Sequence, residues 1–278
     1  MDTTRSITRS SASPTSAGEK IRITGAAKTF HVRGQEIRAL APVDLTVHDR
    51  EFVALVGPSG CGKSTILNLV AGLLKPNGGT VAYDGEPVSD LNRRVGYMTQ
   101  KDTLLPWRRT ADNIRIALEL RCRPTSRAEA DEKVARMIEL VGLKGFENHY
   151  PGELSGGMRK RTLLARTLIY EPETLLMDEP FGALDAQLKL VMLDQLQTLT
   201  QQRQMTVLFV THDLGEAISL ADRVVIFSAR PGRIRTIRDV RLPRPRDVFK
   251  IRFTSDFARI YEELWDELKD EVKKGTDI

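Results

Sequence analysis

The segment Gly57-Pro58-Ser59-Gly60-Cys61-Gly62-Lys63-Ser64-Thr65 fits the spacing Gly-x-x-x-x-Gly-Lys-Ser. An apolar run from Phe52 to Val56 leads into it, and Ile66 to Leu74 reads as a helix behind it. A strand, a glycine-rich turn and a helix in that order make a cradle for a polyphosphate. The glycines let backbone N–H groups turn inward, and the helix N-terminus adds its partial positive charge. Lys63 is then placed to reach the β and γ phosphates, and Ser64 to ligate Mg²⁺. The alternative is a glycine-rich turn with a solvated lysine, which the full pattern in its strand and helix context disfavours.

Outward from this loop, four further stretches carry polar groups where a phosphate site would need them. Thr174-Leu175-Leu176-Met177-Asp178-Glu179-Pro180 reads as a buried strand ending in two carboxylates. Asp178 can hold the Mg²⁺ shell, and Glu179, one residue on, can polarise water for attack on a γ phosphate. Gln100 directly follows the expected strand Val95 to Thr99, where it can reach Mg²⁺ or the attacking water or simply be a solvated loop residue. Leu154-Ser155-Gly156-Gly157-Met158 opens a helix running to about Tyr170. That start offers an anion its N–H groups and a hydroxyl, and is equally compatible with an ordinary N-cap. Thr211-His212-Asp213 follows the short strand Val207 to Val210. Ligands bind at the carboxyl ends of parallel strands, which puts His212 within reach of a phosphate unless its role is structural.

The remaining pattern supplies the frame. Residues 1–18 are rich in Ser and Thr, too poor in large apolar residues to offset ordering entropy, and are expected to form a disordered tail. Ile21 to Phe30 and Ile37 to Val47 read as an antiparallel pair, with Phe30 as a core aromatic. Thr80 to Tyr83 and Val95 to Thr99 read as strands with Asp84-Gly85 turning between them. The loop Thr103 to Arg109, with Trp107, is apolar in the manner of a partner contact. Helices are expected over Ala111 to Arg121, after a Ser126/Glu129 capping box, and over Ala186 to Gln202. Val224 to Phe227 and Ile234 to Arg238 read as last strands around Pro231-Gly232. Phe257, Ile260, Tyr261, Leu264, Trp265 and Leu268 form one apolar stripe of a final helix that packs on the body.

Composition narrows the partners. The chain has 278 residues, 42 Lys and Arg against 37 Asp and Glu, and two cysteines. The positive excess is modest and much of it lies in the Arg-rich stretch Arg230 to Arg246, which fits a solvated surface or proximity to an anionic membrane face; no nucleic-acid partner is called for. Cys61 and Cys122 have no metal-type spacing, and a disulfide at Cys61 would hinder the loop, so the cytosol is the natural compartment. No apolar run approaches the roughly eighteen residues of a membrane span, so membrane association must come through a partner.

Taken together, residues 21 to 229 closely resemble an ABC transporter ATPase subunit. Gly57 to Thr65 resembles its Walker A loop, Gln100 its Q-loop glutamine and Leu154 to Gly157 its signature. Leu175 to Glu179 resembles Walker B with the catalytic glutamate, Ala183 to Asp185 the D-loop and His212 the H-loop switch. Phe30, by its place before the glycine loop, resembles the aromatic that stacks on adenine. The resemblance implies an α/β fold: a P-loop NTPase core of mainly parallel sheet, an N-terminal antiparallel β layer and a helical signature subdomain near residues 106–168. The cassette would span residues 19–240, with a C-terminal extension and amphipathic helix at 241–278. It also implies ATP and Mg²⁺ as cofactors, and a head-to-tail dimer in which ATP on one copy's loop is covered by Ser155, Gly156 and Gly157 of the other. The partners implied are separate permease subunits and, through them, a periplasmic or lipid-anchored solute-binding protein, at the cytoplasmic face of the inner membrane. Leu104-Leu105-Pro106-Trp107-Arg108, Leu-Ser-Gly-Gly-Met-Arg from Leu154 and Phe227 to Ile234 are similar to the nitrate, sulfonate and taurine importer group, in which Met158 often replaces the commoner Gln. A soluble ABC-type ATPase acting on DNA or ribosomes normally brings two cassettes or a long coiled coil, and a P-loop kinase lacks the Ser-Gly-Gly signature and late His; neither fits as well.

Overall fold

The computed structural model describes residues 18–120, 126–182 and 184–276, so the expected tail lies, apart from Gly18, outside the described residues. Alternating apolar positions draw β1 (Glu19–Val32) and β2 (Gln35–His48) into a long antiparallel hairpin. It is closed by Arg33-Gly34, both at positive φ as a two-residue turn matching strand twist demands. After β2 come β3 (Phe52–Val56), α1 (Lys63–Val70), β4 (Gly78–Tyr83), β5 (Glu86–Pro87) and β6 (Val95–Met98). β4 pairs with the other edge of β1, and β5 with β4. The Asp84-Gly85 turn thus leads to β5, not to the Val95 strand expected from sequence. A two-residue turn can only return an antiparallel neighbour, and β6 belongs to a different sheet. Helix α1 also stops short of Leu74, because Gly72, at φ 72, follows its cap and packs against Asp90.

The second sheet has the order β10-β9-β3-β8-β7-β6, formed with β7 (Thr174–Asp178), β8 (Thr206–Thr211), β9 (Arg223–Phe227) and β10 (Ile234–Asp239). All its pairs are parallel except the edge hairpin of β9 and β10. β3, β7 and β8 are buried at every position, as strands covered on both faces must be. Their twofold alternation divides the interior. Val53, Leu55, Leu176, Leu208 and Val210 face the antiparallel layer and α1, whereas Ala54, Val56, Leu175, Met177, Val207 and Phe209 face the helices opposite.

Those helices include α2 (Thr110–Glu119), α3 (Arg127–Leu140) and α4 (Gly156–Leu168), which contribute Ile114, Val134, Met137, Ile138, Leu163 and Leu164 to the core. Ser126 caps α3 by accepting from the Glu129 N–H at 3.2 Å. Three more helices follow, α5 (Ala186–Gln202), α6 (Leu214–Leu220) and α7 (Ser255–Thr276). α6 has no counterpart in the sequence reading, since seven residues with an internal Gly215 are too short to show a helical period. In α7, Phe257, Ile260, Leu264 and Leu268 enter the main core, but Tyr261 and Trp265 are 39% and 45% exposed. The expected six-residue stripe is therefore four residues wide in burial, with two aromatics rotated to its flank. No helix among the described residues is long and apolar enough to cross a membrane.

Candidate functional site

The loop between β3 and α1 is shaped by glycines that cannot be replaced without moving their neighbours. Gly62, at φ 102, sits at the N-cap of α1, and a Cβ there would stand 2.8 Å from the Ala39 carbonyl oxygen of β2. Lys63 is buried, and its ammonium donates to the carbonyls of Gly57 and Pro58, both at 2.7 Å. The neighbouring Cys61 thiol, 3.6 Å from Lys63 Nζ, is pushed to a higher pKa by burial, which outweighs the cation beside it. Ser59 and Gly60 form the exposed rim, while Thr65 is buried behind them.

Strand β7 delivers Asp178 to the same place. Ser64 Oγ donates to Asp178 Oδ1 at 3.0 Å, and burial raises the Asp178 pKa against the opposing pull of that hydrogen bond. Burial also raises the Tyr97 phenol, with the Asp178 charge adding to the shift. A hydroxyl and a carboxylate oxygen at this separation suit Mg²⁺, which takes hard oxygen donors and completes its shell with water and substrate phosphates. Among the described residues no three His, Cys, Asp or Glu side chains cluster as an all-protein cation site.

Glu179 is held in an unusual posture, with φ 45 for a non-glycine residue and its N–H donating to the Val210 carbonyl at 3.0 Å. Its carboxylate gathers two of the residues singled out in sequence. Gln100 Nε2 donates to Glu179 Oε2 at 3.2 Å, and His212 Nδ1 lies 3.3 Å from the same oxygen. Non-glycine residues held in this left-handed region carry strain and cluster at functional sites.

Three residues that support this group were not read from the sequence. Lys160 of α4 is buried and donates to the Gln100 carbonyl at 2.8 Å, tying the signature helix to the glutamine. Thr211 Oγ1 donates to the buried Glu216 of α6 at 2.6 Å, and Lys189 of α5 pairs with that carboxylate at 2.7 Å. These contacts fix the backbone on either side of His212. Isolated charges on helices read as solvated surface, and only the fold reveals their partners.

The other predicted residues fall elsewhere. Ser155 caps α4 by accepting from the Met158 N–H at 3.3 Å, with Ser155 and Gly156 exposed. Gly157 is buried against Leu188, where a Cβ would come within 2.1 Å. Among the described residues no hydrogen bond joins this start to Gly57–Thr65. Asp185 caps α5 by accepting from Leu188 N–H at 2.9 Å, while Ala183 lies outside the described residues. Phe30 is half-buried near the end of β1, opposite Ile37, with the Lys28 ammonium 5.5 Å from its ring centre. Its place is two positions beyond Lys28, the partner of Leu40, whose neighbour Ala39 backs Gly62.

Proteins similar to this chain in sequence and architecture point to one family. Residues 40–182 match the ABC transporter family profile. An uncharacterised ABC transporter ATP-binding protein of Methanocaldococcus jannaschii is 43% identical over 256 residues, which is 92% of this chain and 94% of the relative. An aliphatic sulfonates import ATP-binding protein of Bacillus cereus is 39% identical over 226 residues, 81% of this chain and 88% of the relative. Among solved structures, a dimeric ATP-binding cassette in a post-hydrolysis state with ADP and Pi superposes with TM-score 0.73 at 29% identity, covering 80% of this chain and all of the other. With family profile, near full-length relatives and cassette architecture in accord, the chain belongs to the ATP-binding, ATP-hydrolysing subunits of ABC transporters.

Proposed function

We propose that this ATPase powers import, as one of two identical subunits at the cytoplasmic face of the inner membrane. The single observation that carries the catalytic part is the convergence of Gln100 and His212 on Glu179, beside the Ser64–Asp178 pair and Lys63. In this reading Lys63 and the amides of Gly57 to Thr65 neutralise phosphate charge, with Pro58, Ser59, Gly60 and Cys61 as the loop's wall, and Phe30 stacks on adenine. Ser64, Gln100 and Asp178 would hold Mg²⁺, which would withdraw charge from the phosphate oxygens. Glu179 orients the attacking water and His212 contacts the γ phosphate. The chemistry is mainly positioning and electrostatics.

The exposed Ser155 and Gly156, with Gly157 behind them, cap the nucleotide of a second copy. The dimeric state of the similar cassette supports that arrangement. A cleft of about 990 Å³ lined by Arg94, Tyr97, Leu105, Ile116 and Arg166 lies beside the helical subdomain and suits a permease helix. Likeness to sulfonate import subunits supports a small anionic, sulfonate- or nitrate-like solute delivered by a separate binding protein.

Replacing Glu179→Gln should slow hydrolysis by about a hundred- to a thousandfold while leaving ATP binding intact, and MgATP should then trap a dimer on gel filtration. A variant that hydrolyses at the wild-type rate sinks the catalytic assignment. Capture of the protein from detergent-solubilised membranes should bring down a permease; recovery of ribosomes or DNA complexes alone would reject import.

A further inference from the structure

The segment between β9 and β10, residues 228–233, folds back onto the phosphate loop. Arg230 Nε donates to the Gly60 carbonyl at 3.2 Å. Gly232 is wedged so closely that a Cβ on it would stand 1.8 Å from the Cys61 carbonyl oxygen. Its own N–H donates to Ala39 at 3.1 Å and its carbonyl accepts from Ala41 at 3.0 Å, which stitches the turn to β2 beside the same loop. At the start of the turn, the Phe227 carbonyl lies 2.9 Å from where a Gly57 Cβ would be. Gly60 and Cys61 are thus backed by this turn, and Gly57 by the end of β9 that leads into it.

From the other side this turn is held by α7. Glu271, a carboxylate with 5% of its side chain exposed, accepts from the Ala229 N–H at 2.9 Å and pairs with Arg235 at 2.6 Å. A charge so deeply buried is costly without partners, and here its partners include the backbone and the flank of the turn. We propose that Arg230 and Glu271 are positioning residues for nucleotide: the turn is a strap across the back of the phosphate loop, Arg230 fixes the loop at Gly60, and the C-terminal helix anchors the strap through Glu271. Neither residue touches the reacting atoms. By fixing the loop's amides before ATP arrives, the strap lowers the ordering cost of binding. This rests on Gly57–Thr65 being the nucleotide site.

The test uses the full-length protein with MgADP as calorimetric probe, alongside steady-state ATPase kinetics. Arg230→Gln and Glu271→Gln should each weaken MgADP binding about three- to tenfold and raise KM for ATP, with kcat within about twofold, as loss of one positioning hydrogen bond predicts. Arg230→Lys, which keeps a donor and the charge, should bind close to wild type. The double variant should be no weaker than the weaker single one, since both act through one turn. Wild-type affinity in Arg230→Gln, or effects that multiply in the double variant, would overturn the strap. Arg230 is exposed, so its variants decide the matter even where Glu271→Gln fails to fold. Lys63→Ala separates the two claims: binding lost there but unchanged in Arg230→Gln rejects the strap alone, whereas normal binding in Lys63→Ala rejects the underlying site.

Discussion

Asp178 sits at the end of a fully buried strand, 7% exposed, with its pKa raised chiefly by burial. A carboxylate with a raised folded pKa binds its proton more tightly in the native state. Its ionisation above that pKa therefore costs stability at neutral pH. Asp178→Asn keeps an acceptor for Ser64 Oγ and removes the buried charge. The variant should melt higher than wild type in the absence of nucleotide, while its ATPase activity is lost. A midpoint equal to or below wild type would show that the charge is already compensated. The same logic explains what was legible here. The grouping of Lys63, Ser64, Asp178 and Glu179 was legible because they stand in two short stretches that directly follow apolar strands. Arg230 could not, because its partner Gly60 is 170 residues away and an arginine in a turn reads as solvated.

At the scale of elements, the two sheets are joined at one corner by a charged cluster. Lys20 of β1 pairs with Asp84 at 3.0 Å and with Glu173 at 2.7 Å, and Arg94 pairs with both carboxylates. Beneath them the Tyr83 hydroxyl and Thr174 Oγ1 are 2.8 Å apart. Hydrogen bonds from Arg94, and then Lys20, hold Glu173 at about 2 against an ordinary 4.5. A depressed folded pKa gives stability that is full above the unfolded value and is lost as pH falls from 4.5 through about 2. Glu173→Gln should lower the urea midpoint at neutral pH, and the gap from wild type should close as the solution is acidified through that window. Because Glu173 is half exposed, salt should shrink the gap too. Equal midpoints across the whole range would mean the cluster adds nothing net. Sequence pattern located β1, β4 and β7, but it placed the Asp84-Gly85 turn before the wrong strand. Period-two patterning marks a strand without naming its neighbour, and nothing local told β4 from β6.

For the molecule as a whole, α7 is part of the core. Leu264 is 1% exposed and shares a cluster with Ile218, Leu242 and Val248. Leu264→Ala should cost about 3 kcal/mol in urea unfolding, the usual price of a core leucine truncated beside rigid neighbours. A loss below about 1 kcal/mol would place α7 outside the cooperative unit. The amphipathic face of α7 was legible from spacing, whereas its reach to the phosphate loop through Glu271 was not, since a glutamate on a charged helix carries no local mark of burial.

Strand β3, which carries the phosphate loop, has β8 and β9 as its two neighbours, and the hydrogen bond from Phe52 to Asp222 spans 170 residues. On the ribosome, β3 therefore emerges long before either partner exists, apolar on both faces and unable to close its ladder. A nascent chain shorter than about Phe227 presents an apolar strand with at least one unpaired edge, a surface prone to aggregation. The ladder that frames the loop after β3 closes only once Thr206–Thr211 and then Arg223–Phe227 have followed it out of the ribosome.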